Sequence, residues 1–526
     1  MAIDFSEPGE FDARKALAER GVEVQELPDI QSSGSVSATA EYCDAVVDKL
    51  KSVYPKQVTL QGTPEHDTWR SQLWSAFQSD AIPACVFQPH SAEEVAIAVL
   101  LCRWGRCKFA VKSGGHSAMK DSSNSDGGIT LDLRNLRSIE LSQDKEVVKL
   151  GTGTQWVEVY DELKKDGLAV IGGRHADLGI GGFTLGGGIS FFASIYGWGC
   201  DRVTAFELVT ATGEILNVTH QSYPDLYWAL RGGGPNFGIV TRFDLETIPQ
   251  GDLYGGSLVY SYAQHGPAVI SAFCKLGHDD ADPKAATWLA GFFNPQMGPG
   301  LSMLTLYKDP NSEADVFSEI RAIPPLSNAA TVRSLTDITL MIKKSSPIGL
   351  REMYWTNTFK LDESFCNWFM DMFLEELEAD PKKGAYEGYL PAPVFQIMTR
   401  ESVKHMARNG GNCLPLKEED APYMNLNYSC MWKNEADNED IISLIARIMG
   451  KAVQEGKRRG VFVDYIYMNY ASEYQDVMGS YGENFDKLKK IATKYDPKGI
   501  YQNLMSGYFK FKGAPKKEGP GIWKAS

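Results

Sequence analysis

Three glycine-rich loops hold the side chains most able to do chemistry. In Lys112-Ser-Gly-Gly-His-Ser117, the histidine His116 follows two consecutive glycines just behind the apolar run at Phe109. Across Ser113, Gly114, Gly115 and Ser117 the chain can turn so that successive N–H groups point into one concavity. Such a nest binds phosphate oxygens without cationic side chains, although a tight strand connection would use the same residues. The second loop places eight glycines in the seventeen residues from Gly172 to Gly188. Its Gly179, Gly181, Gly182, Gly187 and Gly188, with Leu185 among them, read as backbone lying flat against a large planar group, where a Cβ would clash. The third loop, Arg231-Gly-Gly-Gly-Pro-Asn-Phe-Gly238, runs into Ile239 and Val240. Together the three predict one extended ligand with phosphates and a flat ring system, as a dinucleotide has.

The usual signatures are missing. No position fits G-x-G-x-x-G, so a nicotinamide site of the doubly wound kind is not signalled. There is no P-loop, no G-x-S-x-G elbow and no pair of histidines at ligand spacing, so no metal is expected.

The elements that must position these loops alternate between strand and helix. Short strands are expected at Ile82–Phe87, Phe109–Lys112, Ile129–Leu133, Val147–Leu150, Ala205–Thr210 and Ile239–Leu245. Ser91-Ala-Glu-Glu94 is a capping box that opens a helix, and Trp156–Lys165 has the spacing of an amphipathic one. After Ile248-Pro-Gln-Gly251 the glycine density falls, and longer strands (Leu253–Tyr262, Ser302–Tyr307) mix with longer helices (Ser364–Glu378, Asp440–Gln454). Val461–Tyr470 reads as one strong strand and Asn484–Tyr495 as a helix. The expected fold is α+β, with an N-terminal extension over 1–60, a first domain over 61–250, an inserted domain over 251–455 and a C-terminal return over 456–526. A loose linker is expected at Gln31-Ser-Ser-Gly-Ser.

Composition narrows the function. The chain of 526 residues has a formal charge of −14, which removes the counterion-release drive of a nucleic-acid binder. Its basic residues concentrate in a tail (Lys510, Lys512, Lys516, Lys517, Lys524) that reads as a solvated terminus. No run reaches the roughly 18 apolar residues that cross a membrane, and the N-terminus lacks the basic and apolar regions of a secretory signal. Nine scattered cysteines suggest unpaired thiols in a reducing, intracellular and cytoplasmic setting.

The sequence also resembles a known family. Val111-Lys-Ser-Gly-Gly-His-Ser117, Leu185-Gly-Gly-Gly188, Asp225-Leu-Tyr-Trp-Ala-Leu-Arg-Gly-Gly-Gly234, Asn236-Phe-Gly-Ile-Val240 and Tyr495-Asp-Pro look like the FAD-linked oxidoreductases of the vanillyl-alcohol-oxidase/PCMH fold, berberine-bridge-enzyme-like branch, fungal members above all. The resemblance covers most of residues 65–510. It implies a two-part FAD domain, with the inserted α+β domain covering the isoalloxazine. His116 matches the histidine that family members bond to the flavin 8α-methyl. Many relatives add a cysteine in a G-x-C-x-x-x-G pattern; here Gly173-Arg-His-Ala-Asp-Leu-Gly179 puts His175 in that place, so FAD is expected to be attached through His116 only. His175 then faces flavin or substrate, or is a spacer. Leu178 stands where relatives carry the residue that controls oxygen access.

Tyr465-Ile-Tyr-Met-Asn-Tyr470 resembles the Y-x-N-Y element of oligosaccharide-oxidising relatives. By that resemblance Asn469 contacts the ring and Tyr470 takes the substrate proton, with Tyr467 also in reach if the strand ends between them. The alternative is a tyrosine-rich core strand. In some relatives a glutamate of the inserted domain is the base; none aligns here. The aromatic inserted domain (Tyr307, Tyr354, Trp355, Phe359, Trp368, Tyr428, Trp432) favours a flat, lipophilic or aromatic small-molecule substrate of secondary metabolism. The expected reaction is hydride transfer from that substrate to flavin N5, with O2 as the final acceptor. The alternatives are a flavin-bound pericyclase or isomerase without net redox, and a carbohydrate oxidase.

Overall fold

The computed structural model describes residues 11–27, 42–294, 298–507 and 509–516. The linker expected at Gln31 and the last lysines of the tail, Lys517 and Lys524, lie outside them. Three sheets organise the chain. The smallest pairs Val58–Leu60, Cys85–Phe87, Ile129–Asp132 and Phe109–Lys112 in that order, and its last three strands are parallel. Parallel strands need a crossover, and helix Ala92–Trp104 provides one. Ser91 caps this helix by accepting from the Glu94 N–H, while the Glu94 carboxylate reaches back to His90 N–H. Every residue from Val95 to Trp104 is buried, so the helix packs on all sides and carries an apolar run instead of a stripe.

The second sheet is antiparallel and runs Ile139–Leu141, Val147–Gly151, Ile239–Pro249, Val203–Val209, Ile215–Thr219, with Leu168–Val170 on the far end of Ile239–Pro249. The glycine-rich loops leave the strands of these two sheets. Ser113–Ser117 follows Phe109–Lys112, the Gly172 cluster follows Leu168–Val170, and Gly238 precedes Ile239–Pro249.

The third sheet has nine strands, centred on Gly298–Tyr307, Ala285–Asn294, Leu390–Met398, Tyr423–Trp432 and Arg351–Lys360. Side chains alternate along each strand. Met353, Phe359, Met424, Leu426, Tyr428, Cys430 and Trp432 point into a core shared with helices Tyr262–Lys275, Glu363–Glu378 and Asn438–Arg459. Burying each of the Met, Phe and Leu side chains among them contributes about 1.5–3 kcal/mol. The opposite face carries Glu352, Tyr354, Asn427 and Ser429, and it looks toward the glycine-rich loops.

Three expectations are corrected. Val461–Tyr470 is not one strand: only Phe462–Val463 pairs, on Arg351–Lys360, and Met468–Tyr470 is a turn of 3-10 helix. Cys43 and Cys107 are joined in a disulfide that ties helix Cys43–Val53 to the start of the parallel sheet, against the reading of unpaired thiols throughout. Finally, the described part of the tail is anchored: Lys510 is 5% exposed and donates to Tyr501 O, and Lys516 pairs with Glu473. No helix among the described residues is long and apolar enough to cross a membrane.

Candidate active site

A cavity of ≈ 390 Å³ lies between the face of the third sheet and the glycine-rich loops; a second cavity beside it has only ≈ 40 Å³. Its floor comes from the loops. Ser113 Oγ donates to Thr152 O and accepts from Gly181 N–H, which clips the first loop to the second. The two backbones touch at Gly114 and Gly179, where a Cβ on Gly179 would lie 2.2 Å from Gly114 N. Gly115 takes φ +76°, the left-handed value that a nest of N–H groups requires. Gly182, by contrast, has no atom within 4 Å of where its Cβ would be, and it faces the cavity.

The cluster is therefore only partly a bed for a flat ligand. Gly186 is a glycine because Asn469 lies against it, with a contact of 2.1 Å to a built Cβ. Gly187 and Gly188 pack against Trp198 and Phe183 and do not line the cavity. Lys112 also lies behind the floor, its ammonium 3.3 Å from Asp132. Of the third loop, Pro235 and Gly238 line the cavity with Ile239 and Val240, whereas Arg231 is buried in an ion pair with Asp201 and donates to loop carbonyls. Gly114, Gly115, Ser117, Leu178, Gly179, Gly181 and Leu185 all line it.

His116 and His175 meet at one end, their ring centroids 4.6 Å apart. Burial, with His175 and Lys343 nearby, holds His116 well below the ordinary imidazole range, so the ring is neutral and one nitrogen keeps its lone pair. Burial likewise lowers His175, to about 4. Asp177 N–H donates to His175 Nδ1, so the neutral ring carries its proton on Nε2, which is buried without a partner. Trp74 stacks on His116 at 4.4 Å and on Tyr354 of the third sheet at 5.9 Å, and its indole N–H donates to Ser346. Lys343–Asp177 and Thr336–Asp161 further fasten the inserted segment over the floor.

The break in the expected strand brings both tyrosines to the cavity. Tyr467 and Tyr470 meet edge to face at 5.0 Å. Tyr467 Oη accepts from the N–H groups of Gly188 and Ile189 and from Asn469 Nδ2, so it has no lone pair left for a substrate proton. Burial raises its phenol well above the usual value. Asn469 also donates to Phe183 O and lines the cavity. Tyr470 Oη accepts from Arg174 Nη2, which leaves its own O–H directed elsewhere. Arg174 also donates to Gln396 Oε1 at 2.8 Å and lies over Trp288.

The third sheet forms the roof, and the pairing register fixes which residues face down. Glu352 stands opposite Met431, Tyr354 opposite Ser429, Asn427 opposite Val394, and Gln396 opposite Trp288, and all eight line the cavity. Glu352 is 1% exposed and its Oε1 has no partner, so burial pushes its carboxyl up to about 8.

A model of the FAD binding domain matches residues 83–219, and a berberine and berberine-like model matches residues 466–506. An FAD-dependent monooxygenase of Fusarium proliferatum (strain ET1) is 36% identical over 447 residues, which cover 83% of this chain and 86% of that protein. The chain belongs to the berberine-bridge-enzyme-like FAD-linked oxidoreductases. A second FAD-dependent monooxygenase, of Cochliobolus heterostrophus, is 33% identical over 83% of this oxidoreductase and 86% of its own length. Solved structures share the fold. Physcomitrella patens BBE-like 1 superposes with TM-score 0.73 at 17% identity, covering 90% of this chain and 99% of that one. For 6-hydroxy-D-nicotine oxidase from Arthrobacter nicotinovorans the TM-score is 0.71 at 20% identity, with coverage of 86% and 97%.

The residues present suit FAD. The nest at Ser113–Ser117 opens on a cavity whose only carboxyl group, among the described residues, is that of Glu352 in the roof, Gly182 leaves open space for a planar ring, and His116 is a neutral imidazole at one end. Reading the sequence missed Trp74, Arg174, Trp288, Glu352, Gln396 and Asn427. Only Glu352 carried a signal: an acidic residue at an inward position of the alternating run Arg351–Lys360.

Proposed function

We propose that this FAD-linked oxidoreductase oxidises a small aromatic or lipophilic molecule of secondary metabolism, held between floor and roof, with Tyr470 removing its proton. The observation that carries the reading is Tyr470 itself. It stands in the same cavity as the nest and His116, and its oxygen is held by the Arg174 guanidinium, which stabilises the phenolate form that accepts the substrate proton. FAD bound on the floor supplies a two-electron acceptor, and O2 is the expected terminal oxidant. The chain's own residues do the rest. Tyr467 and Asn469 fix the glycine cluster, and Trp74 presses His116 into place.

His116 is the proposed point of covalent attachment. A neutral ring has the lone pair that a bond to a flavin methyl carbon requires, and His175 offers no thiol for a second bond. The nearest thiol in sequence, Cys200, does not line the cavity, and burial raises it well above its usual value. Yellow colour that stays with acid-precipitated protein, and that moves to the supernatant in His116→Ala, is the expected outcome.

Anaerobic addition of substrate should bleach the flavin; turnover without bleaching would point to the pericyclase or isomerase reading instead. A second reading has support in the name of the relatives, monooxygenases. There an oxygen atom from O2 enters the product, and labelled O2 separates the cases: label in the product for insertion, label in H2O2 for oxidation.

A further inference from the structure

Arg174 lines the cavity yet pairs with no carboxylate among the described residues. Its two side-chain partners, Gln396 Oε1 and Tyr470 Oη, are neutral acceptors, and the face of Trp288 lies against it. Guanidinium is donor-only, so the contact fixes the Gln396 amide with its oxygen toward Arg174. Gln396 Nε2 then turns away, buried and without a partner, at a residue 3% exposed. His175 Nε2–H is a further buried donor with nothing to accept it. While Tyr470 keeps its proton, its O–H, displaced by the incoming Arg174 donor, also needs an acceptor.

This end of the cavity therefore presents unpartnered donors, with Asn425 Oδ1 and Asn427 Oδ1 as unpartnered acceptors on the neighbouring strand, and a cation that has no carboxylate partner among the described residues. Buried donors without acceptors, and a half-buried charge without a counterion, are costly unless a ligand completes them. The Glu352 carboxyl does not supply the counter-charge, because burial keeps its proton on at neutral pH.

We infer that Arg174, with Gln396 Nε2, forms an anion subsite, and that the substrate of this enzyme carries an ionised carboxylate or acidic phenolate that docks there. The inference deepens the proposed function and rests on its placement of substrate beneath the roof. Docking at Arg174 also accounts for the position of Tyr470. The cation that fixes the anion holds the tyrosine oxygen, so substrate and base are registered by one side chain. Trp288 lies against the guanidinium from the roof side and holds it in place over the cavity.

The test is equilibrium binding to the oxidised holoenzyme, read as perturbation of the flavin absorption, with 2-naphthoate and its neutral isostere 2-naphthamide at pH 7. Naphthoate should bind roughly tenfold or more tighter, as a charge-assisted pair in a desolvated site implies. Arg174→Gln should abolish the preference and Arg174→Lys should keep part of it. Equal binding of the two ligands, failure of naphthoate to bind at millimolar concentration, or a preference that survives Arg174→Gln would overturn the subsite. So would Arg174→Gln lowering flavin content while leaving the preference intact, which would assign Arg174 to the cofactor. Equal binding of the two ligands to the unmodified enzyme overturns the subsite even if Arg174→Gln does not fold, and the reduced preference expected of Arg174→Lys then assigns it to this residue. No turnover is involved, so a failure of Tyr470 as base leaves this result standing, and the reverse.

Discussion

The floor and the roof of the cavity are built by opposite strategies. The floor is local: Ser113–Ser117, Gly179–Gly182 and Gly238–Val240 are short segments whose backbone does the work, fastened by Ser113 and Tyr467. The roof is non-local: Glu352, Gln396, Asn427 and Trp288 come from four strands spread over 140 residues, and only pairing register brings them to one face. A backbone site tolerates little change in shape but is indifferent to side-chain chemistry. A register site keeps its shape under substitution and changes its chemistry with each residue. That division suits an enzyme family with one cofactor and many substrates.

Tyr470 stands where the two regions meet, so its loss gives the largest expected effect. Tyr470→Phe keeps the ring contacts with Tyr467 and Tyr354 and removes only the oxygen. The rate of flavin reduction by substrate should fall by about 100- to 10,000-fold, the usual contribution of a positioned base, while flavin content and thermal stability stay near those of the parent. Stopped-flow reduction under anaerobic conditions measures it. An unchanged rate would remove Tyr470 from the chemistry and leave the roof, with Glu352, as the source of the base.

The difference between the regions also explains what could be read from the sequence. Motifs such as Lys112–Ser117 and Leu185–Gly188 are contiguous, so the floor, its cofactor class and the family were legible. The purpose of individual glycines was not, because the atoms that exclude a Cβ belong to distant residues: Gly114 for Gly179, and Asn469 for Gly186. The strand expected over Val461–Tyr470 failed for a related reason. Alternating aromatics suit a strand, but the Tyr467 oxygen is claimed by the glycine cluster, and the chain turns there to bring Tyr470 round to Arg174. The roof was almost illegible. Nothing adjacent to Glu352 or Asn427 in sequence states that they face each other's neighbours across a sheet.

Two glycines of the floor sharpen the point with a smaller effect. In Gly179→Ala the new Cβ meets backbone that cannot move without unclipping the two loops, and the protein should lose about 1–3 kcal/mol or more. Gly182→Ala should leave stability unchanged or raise it by up to about 1 kcal/mol, since the residue lies in helix Ile180–Leu185 and its Cβ meets no protein atom. Its methyl group instead enters the cavity and should lower flavin content. Melting temperature and the ratio of flavin to protein absorbance separate the two. Equal melting losses would show that Gly182 is packed against protein after all.

Glu352 offers the finest test, because it reports on the roof without any substrate. Its carboxyl keeps its proton up to about pH 8 in the folded chain, through burial, against an ordinary value of 4.5. Between those two values the unfolded chain has released the proton and the folded chain has not. The unfolded state therefore binds fewer protons, and stability must fall as pH rises, by up to about 1.4 kcal/mol per unit, until the folded carboxyl ionises too. Glu352→Gln keeps the shape and has no proton to lose. The melting temperature of the variant should thus gain on that of the parent from pH 5 to 8 and hold its lead above that. Parallel curves would mean that water or a cation reaches Glu352, and with it the roof as a whole. A diverging pair would establish that the roof is dry before substrate enters, so that any polar group the substrate brings must find its partner among the roof's own side chains.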